Sequence, residues 1–235
     1  MKTASLIVCT LLWGTAGPAA ESADDPLHPL TAAESATGWK LLFDGRTTRG
    51  WRGFNKPEFP AQGWVVENGS LKHVANGGGG DIISLERFRD FELEWDWRIP
   101  AGANNGLKYF ITEERRSAIG HEYQLIDDSL VKEGKASTAS FYDVLPPRAD
   151  KPRKPSGEWN HSRVLARGNH VEHWLNQVKV LEYEMGSDEV KAAIARSKFK
   201  NVPGFGLPLK GHILLTDHHD EASFRNLKIR ELAPK

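Results

Sequence analysis

Phe91-Glu92-Leu93-Glu94-Trp95-Asp96-Trp97-Arg98-Ile99 alternates apolar and charged side chains without a break. Successive side chains of a strand point to opposite faces, so this stretch predicts one face against a core and the other in water. Working outward, the same period of two predicts strands at 41–43, 63–67, 70–73, 81–85 and 107–112. It continues at 121–126, 140–144, 159–166, 171–176, 178–183, 212–217 and 222–232. Asn68-Gly69, Asn104-Asn105-Gly106 and Gly168-Asn169 supply turns between them, and Gly77-Gly78-Gly79-Gly80 is expected to be a flexible tip. That glycine run lacks the lysine and hydroxyl residue of a phosphate loop. Many short strands without alternating helices predict an all-β antiparallel sandwich. One short helix stands apart near 188–198, where Ser187 can cap it and Asp188 and Glu189 sit at its positive end.

Of the 235 residues, 39% are hydrophobic and 26% charged, a globular composition that excludes general disorder. The 31 basic side chains balance 31 acidic ones, which excludes a nucleic-acid binder working by bulk charge. Met1-Lys2, an apolar run at 4–13 and the small residues Gly14, Ala16, Gly17, Ala19 and Ala20 have the layout of a secretory signal. The expected organisation is a signal peptide at 1–20, a linker at 21–37 and one sandwich domain at 38–235. Cleavage removes Cys9, the single cysteine, and leaves a thiol-free periplasmic or secreted protein with no transmembrane segment.

The period of two places Glu122 and Gln124 on one face of their strand and Tyr123 and Leu125 on the other. A carboxylate beside an amide can bind hydroxyl groups and, if partly buried, serve as a general acid or base. Asp127 follows, in a position suited to closing a turn. In the hairpin after Gly168-Asn169, His173 alternates with Val171 and Leu175, a pattern more often core than catalytic. Glu172, Trp174 and Asn176 share the other face; Trp174 is a candidate sugar platform, and Asn176-Gln177 stands where Asn-Gly makes the usual tight turn. Thr216-Asp217-His218-His219-Asp220 has the composition of a metal cluster without a recognised ligand spacing, so a divalent metal ion is the one cofactor left open. Arg225 lies in the last strand.

Ordered blocks run along the chain: Leu41-Leu42-Phe43-Asp44-Gly45, Gly50-Trp51, Asp90-Phe91-Glu92-Leu93, Asn104-Asn105-Gly106-Leu107-Lys108-Tyr109-Phe110 and Gly120-His121-Glu122-Tyr123-Gln124-Leu125-Ile126-Asp127. Gly157-Glu158-Trp159-Asn160, Gly168 through Asn176, Gly211-His212-Ile213, Asp217-His218 and Phe224-Arg225-Asn226-Leu227 continue the series. Together these blocks resemble the 3-keto-disaccharide hydrolase domain family. The resemblance implies a concanavalin-A-like jelly-roll β-sandwich, export, and action on 3-keto sugars. Thr216 stands where the family usually has glutamine, and His219 where it usually has glycine.

A ketone at C3 acidifies the C2 proton. A base can remove that proton, an oxyanion stabiliser can hold the enolate, and the C1 oxygen can leave, after which water adds. Glu122, His173 and Asp217 are the candidate catalytic residues. Lys108, Gln124, Asp127, Trp174, Asn176, His218 and Arg225 are the candidate substrate-binding residues, with Lys108, Arg225 or a metal ion facing the enolate. The expected partner is a small carbohydrate. A non-catalytic carbohydrate-binding module is the alternative, since the fold alone does not choose between them.

Overall fold

The computed structural model describes residues 29–234 apart from 116 and 133, so the signal expected at 1–20 lies outside the described residues. Two antiparallel sheets stack face to face as a jelly-roll sandwich. Its strands are β1 (Lys40–Leu41), β2 (Trp51–Gly53), β3 (Trp64–Glu67), β4 (Ser70–His73), β5 (Ile82–Phe88), β6 (Phe91–Arg98) and β7 (Asn104–Ile111). They continue as β8 (His121–Ile126), β9 (Asn160–Arg167), β10 (His170–Leu175), β11 (Val178–Glu184), β12 (Gly211–Leu215) and β13 (Ala222–Glu231). One sheet has eight strands in the order β11-β10-β9-β6-β13-β4-β3, with β1 added on β13. The other has five, in the order β2-β5-β12-β7-β8.

The alternating stretch is β6, at the centre of the larger sheet. Phe91, Leu93, Trp95 and Trp97 are buried between the sheets, where Trp95 meets Tyr123 of β8 edge to face at 5.0 Å. Its charged side chains point outward and pair with the neighbouring strands. Glu92 accepts from Arg163 at 2.8 Å and from Arg230 Nε at 2.7 Å, Glu94 pairs with Lys228 at 3.0 Å, and Asp96 with His161 at 2.9 Å.

The expected helix is α2 (Asp188–Ala195; α1 is described below), and Ser187 accepts from the Val190 amide as its cap. Three other expectations are corrected, and one strand is added. Residues 140–144 form a turn, with Ala139 and Asp143 at φ +67° and +61° and only Phe141 bridging to Tyr123 and Leu145. The stretch expected as a linker contains α1 (Ala32–Ala36), closed by a Thr31/Glu34 capping box and held to the larger sheet by Glu34 and Lys228. β2 was missed because three residues are too few to show a period. The glycine run is no free tip: a Cβ on Gly63 would meet the Gly78 carbonyl oxygen at 1.6 Å, so the two segments pass each other only as glycines.

A chain of hydrogen bonds runs through the core. The Ala139 carbonyl can only accept, so His173 Nδ1 donates to it (2.9 Å) and His173 Nε2 accepts from Tyr109 (2.7 Å). Tyr109 then accepts from Tyr183 (2.8 Å), which accepts from His121 Nδ1 (2.9 Å). Burial pushes His173 down to about 4, against the bond to Ala139. Burial first, with His173 and Arg115 adding to it, pushes His121 down to about 3. Both rings are therefore neutral near pH 7.

Candidate active site

The outer face of the five-stranded sheet carries a row of side chains fixed by register. Glu122 of β8 is paired with Lys108 of β7, Lys108 with Leu214 of β12, Leu214 with Ile83 of β5, and Ile83 with Arg52 of β2. Ile83 and Leu214 join Ile111 in a small apolar cluster that Phe54 and Ala118 cover. At one end of the row Arg52 is closed off, donating twice to Glu113 at 2.7 Å, and that bond holds Glu113 down at about 2. At the other end the row opens into a cavity of about 320 Å³. Lys108, Glu122, Ala118, Ile119, Lys198 and Phe199 are among its walls.

The Glu122 side chain is 6% exposed, yet Lys108 Nζ stands 3.9 Å away and donates instead to the Ala118 carbonyl. With its amide nitrogen turned inward, Gln124 donates to Glu122 Oε1 at 3.3 Å. Space for the carboxylate comes from Gly106 on β7: a Cβ there would lie 2.3 Å from Glu122 Oε1. The result is a desolvated carboxylate with one amide donor and a cation just beyond hydrogen-bond range. Such a group can take a proton from a bound molecule.

Two neighbours went unnoticed in the sequence. Lys198 follows α2, its backbone amide donating to Asp143 at 2.7 Å while its ammonium lies 4.2 Å from the Tyr142 ring centre and 5.1 Å from that of Phe199. Burial lowers the Lys198 pKa; Glu122 and Asp143 oppose the shift and Lys108 adds to it. Burial also raises the Tyr142 hydroxyl, and Glu122 and Asp143 raise it further. Neither residue lies on a strand, so no period could have placed them on this face.

The remaining expected residues are dispersed. His173 is fully buried between the sheets with both ring nitrogens engaged, which takes it out of the outer-face site. Asp217 is a latch: its Oδ2 accepts from the Gly80 amide at 3.0 Å, and its Oδ1 lies 2.9 Å from His73 Nε2 and accepts from the His219 amide at 3.1 Å. Burial pushes its carboxyl up, but those two amides and His73 more than offset this and leave it below the usual range. A carboxylate so occupied ties the glycine run to the end of β12, and neither it nor exposed His218 lines the cavity. His219, where the family usually has glycine, adopts φ +66°, and Thr216 is buried against Asn105.

Asp127 closes the turn after β8 by accepting from Gly102 at 2.9 Å and Ser129 at 3.1 Å. Asn176 and Gln177 both take positive φ, +46° and +70°, as a tight turn between β10 and β11 demands. Trp174 and Arg225 occupy the opposite side of the molecule, on the outer face of the larger sheet. Arg163 lies 3.9 Å from the Trp174 ring centre and Arg225 lies 4.2 Å from that of Trp159, so neither tryptophan presents a bare platform. For the metal ion left open above, no group of three ligating side chains converges at the 217–220 turn among the described residues. One does at His170, Glu172 and Glu182, where Lys179 already pairs with both glutamates.

The profile of the 3-keto-alpha-glucoside-1,2-lyase-like domain matches residues 38–230. A 3-keto-disaccharide hydrolase of Bacteroides thetaiotaomicron is 31% identical over 233 residues, covering 84% of this chain and 79% of its own. Two solved structures from Parabacteroides distasonis, each provisionally named a glycosyl hydrolase, share the fold. One has a TM-score of 0.78 at 34% identity, over 87% of this chain and 99% of its own. The other has a TM-score of 0.64 at 27% identity, over 83% and 99%. With the profile spanning nearly all of the described sandwich, the chain belongs to the 3-keto-alpha-glucoside-1,2-lyase-like domain family.

Proposed function

We propose that this protein is a glycoside-cleaving enzyme that acts on 3-keto-glycosides or 3-keto-disaccharides in the outer-face cavity. The observation that carries the reading is the Glu122 carboxylate, 6% exposed and open to the cavity, with Lys108 at 3.9 Å. Glu122 takes the C2 proton, and Lys108 faces the C3 oxygen as negative charge builds there. The C1 oxygen departs to leave an enone; water then adds at C1 and a proton returns to C2, for net hydrolysis. Ordinary glycosidases use two carboxylates across the scissile bond. The cavity lining contains one, Glu122, among the described residues, which suits an elimination route.

The names of the Bacteroides relative and of the family support this substrate class. The covered tryptophans of the larger sheet give no matching support to a purely carbohydrate-binding role. Export with removal of residues 1–20 is part of the same proposal, and sequencing the amino terminus of the protein from the periplasm checks it. The decisive assay supplies a 3-keto-glucoside and the matching unoxidised glucoside. Release of the aglycone from the keto substrate alone is the expected result. Equal release from both, or from neither, contradicts the reading.

A further inference from the structure

The elimination needs a third group, because an alkoxide leaving from C1 is a poor leaving group unless protonated as the bond breaks. Glu122 and Lys108 form the cavity floor, with side chains 6% and 15% exposed. Lys198 lies at the rim: the residue is exposed overall, while its ammonium rests on the Tyr142 and Phe199 rings. That ammonium makes no hydrogen bond or salt bridge among the described residues, whereas Lys135 already pairs with Asp143 at 2.9 Å. Lys108, which donates to the Ala118 carbonyl, is held on the floor beside the proton acceptor. The charged groups acting on Lys198 come from three other segments: Glu122 on β8, Lys108 on β7 and Asp143 in the 140–144 turn.

We propose that Lys198 is the general acid that protonates the departing C1 oxygen, an assignment that rests on the function proposed above. In the proposed pose the ring places C2 and the C3 oxygen against Glu122 and Lys108 on the floor, and its C1 substituent toward the rim beside Lys198. As the C1–O bond breaks, the enolate pair restores the C3 carbonyl and forms the C1=C2 double bond. The leaving oxygen takes a proton from Nζ. The resulting neutral amine takes a proton from the water that adds to C1, and the Glu122 acid returns its proton to C2, so both groups end the cycle as they began. Partial burial favours this role, because an ammonium with a lowered pKa gives up its proton more readily.

The test varies the leaving group. Wild type, Lys198→Ala and Lys198→Arg are assayed on methyl 3-keto-glucoside and on 4-nitrophenyl 3-keto-glucoside, whose phenolate leaves without a proton. Both variants are expected to lose about 100-fold or more in kcat on the methyl substrate, within the usual range for an acid–base group. They should stay within about threefold of wild type on the nitrophenyl substrate, by the same logic that a phenolate needs no acid. Equal losses on both substrates, full activity of Lys198→Arg, or no loss at all each overturn the assignment of Lys198. If wild type cleaves neither keto substrate, the underlying function fails instead. Thermal melts of both variants separate a folding defect from a chemical one, and the nitrophenyl substrate reports the folded active fraction directly.

Discussion

Glu92 and Glu122 are equally buried glutamates on the two outer faces of one sandwich, with side chains 4% and 6% exposed. Glu92 sits at the centre of a ladder and receives hydrogen bonds from two arginines on the flanking strands. Glu122 sits on the edge strand of its sheet, in the wall of the cavity, and its nearest cation stops at 3.9 Å. The first arrangement saturates the carboxylate and stitches β9, β6 and β13 together. The second leaves a desolvated carboxylate with lone pairs to spare. Burial alone therefore says little about function; the difference lies in whether the neighbours satisfy what burial strips away.

This comparison can be broken at several points. Glu92→Ala is expected to cost about 2–3 kcal/mol of stability, since it strands two partly buried guanidinium groups. Activity per folded molecule should be unchanged, and denaturant titration beside steady-state kinetics checks both. If Glu92→Ala removed activity without destabilising the protein, the faces would not divide as described. Gly106→Ala should do the reverse. Its methyl group meets the Glu122 side chain, Oε1 at 2.3 Å and Cδ and Cγ at 3.1 Å, so stability should fall by about 1 kcal/mol while kcat falls roughly tenfold or more, the scale of a misplaced catalytic group.

A smaller effect sharpens the contrast between the core and the outer faces. His173 and His121 are held at about 4 and about 3 when folded, below their ordinary value of 6.5. Unfolded chain binds these protons first, so their stabilising contribution is present above pH 6.5 and is lost as pH falls toward those values. Thermal melts should therefore show the melting temperature declining from pH 6.5 to 4. A flat profile over that range would mean that the two rings are not buried in neutral form.

The fold could be read from β6 because nine residues of alternation leave little freedom in which face is buried. The pairing of Glu122 with Gln124 was legible for the same reason: residues two apart on a strand share a face. The sequence also carried a warning about His173, whose neighbours Val171 and Leu175 belong to the core. What the sequence concealed arises from contacts between distant segments. Asp217 looks catalytic beside two histidines until the glycine run from over a hundred residues earlier is seen docked on its carboxylate. Lys198 looks like any surface lysine after a helix until the turn at Tyr142 and Asp143 positions it over the cavity. Trp174 and Arg225 match the family blocks yet fall on the far side, because β10 and β13 belong to the larger sheet while β7 and β8 belong to the smaller one.

Turnover of a 3-keto-glucoside by Glu122→Gln tests the central claim most directly. The substitution keeps the shape and the Gln124 contact but removes the base. The expected result is a loss of about 100-fold or more in kcat with an unchanged melting temperature. Wild-type turnover by Glu122→Gln would contradict the account and move the chemistry away from this face of the sandwich.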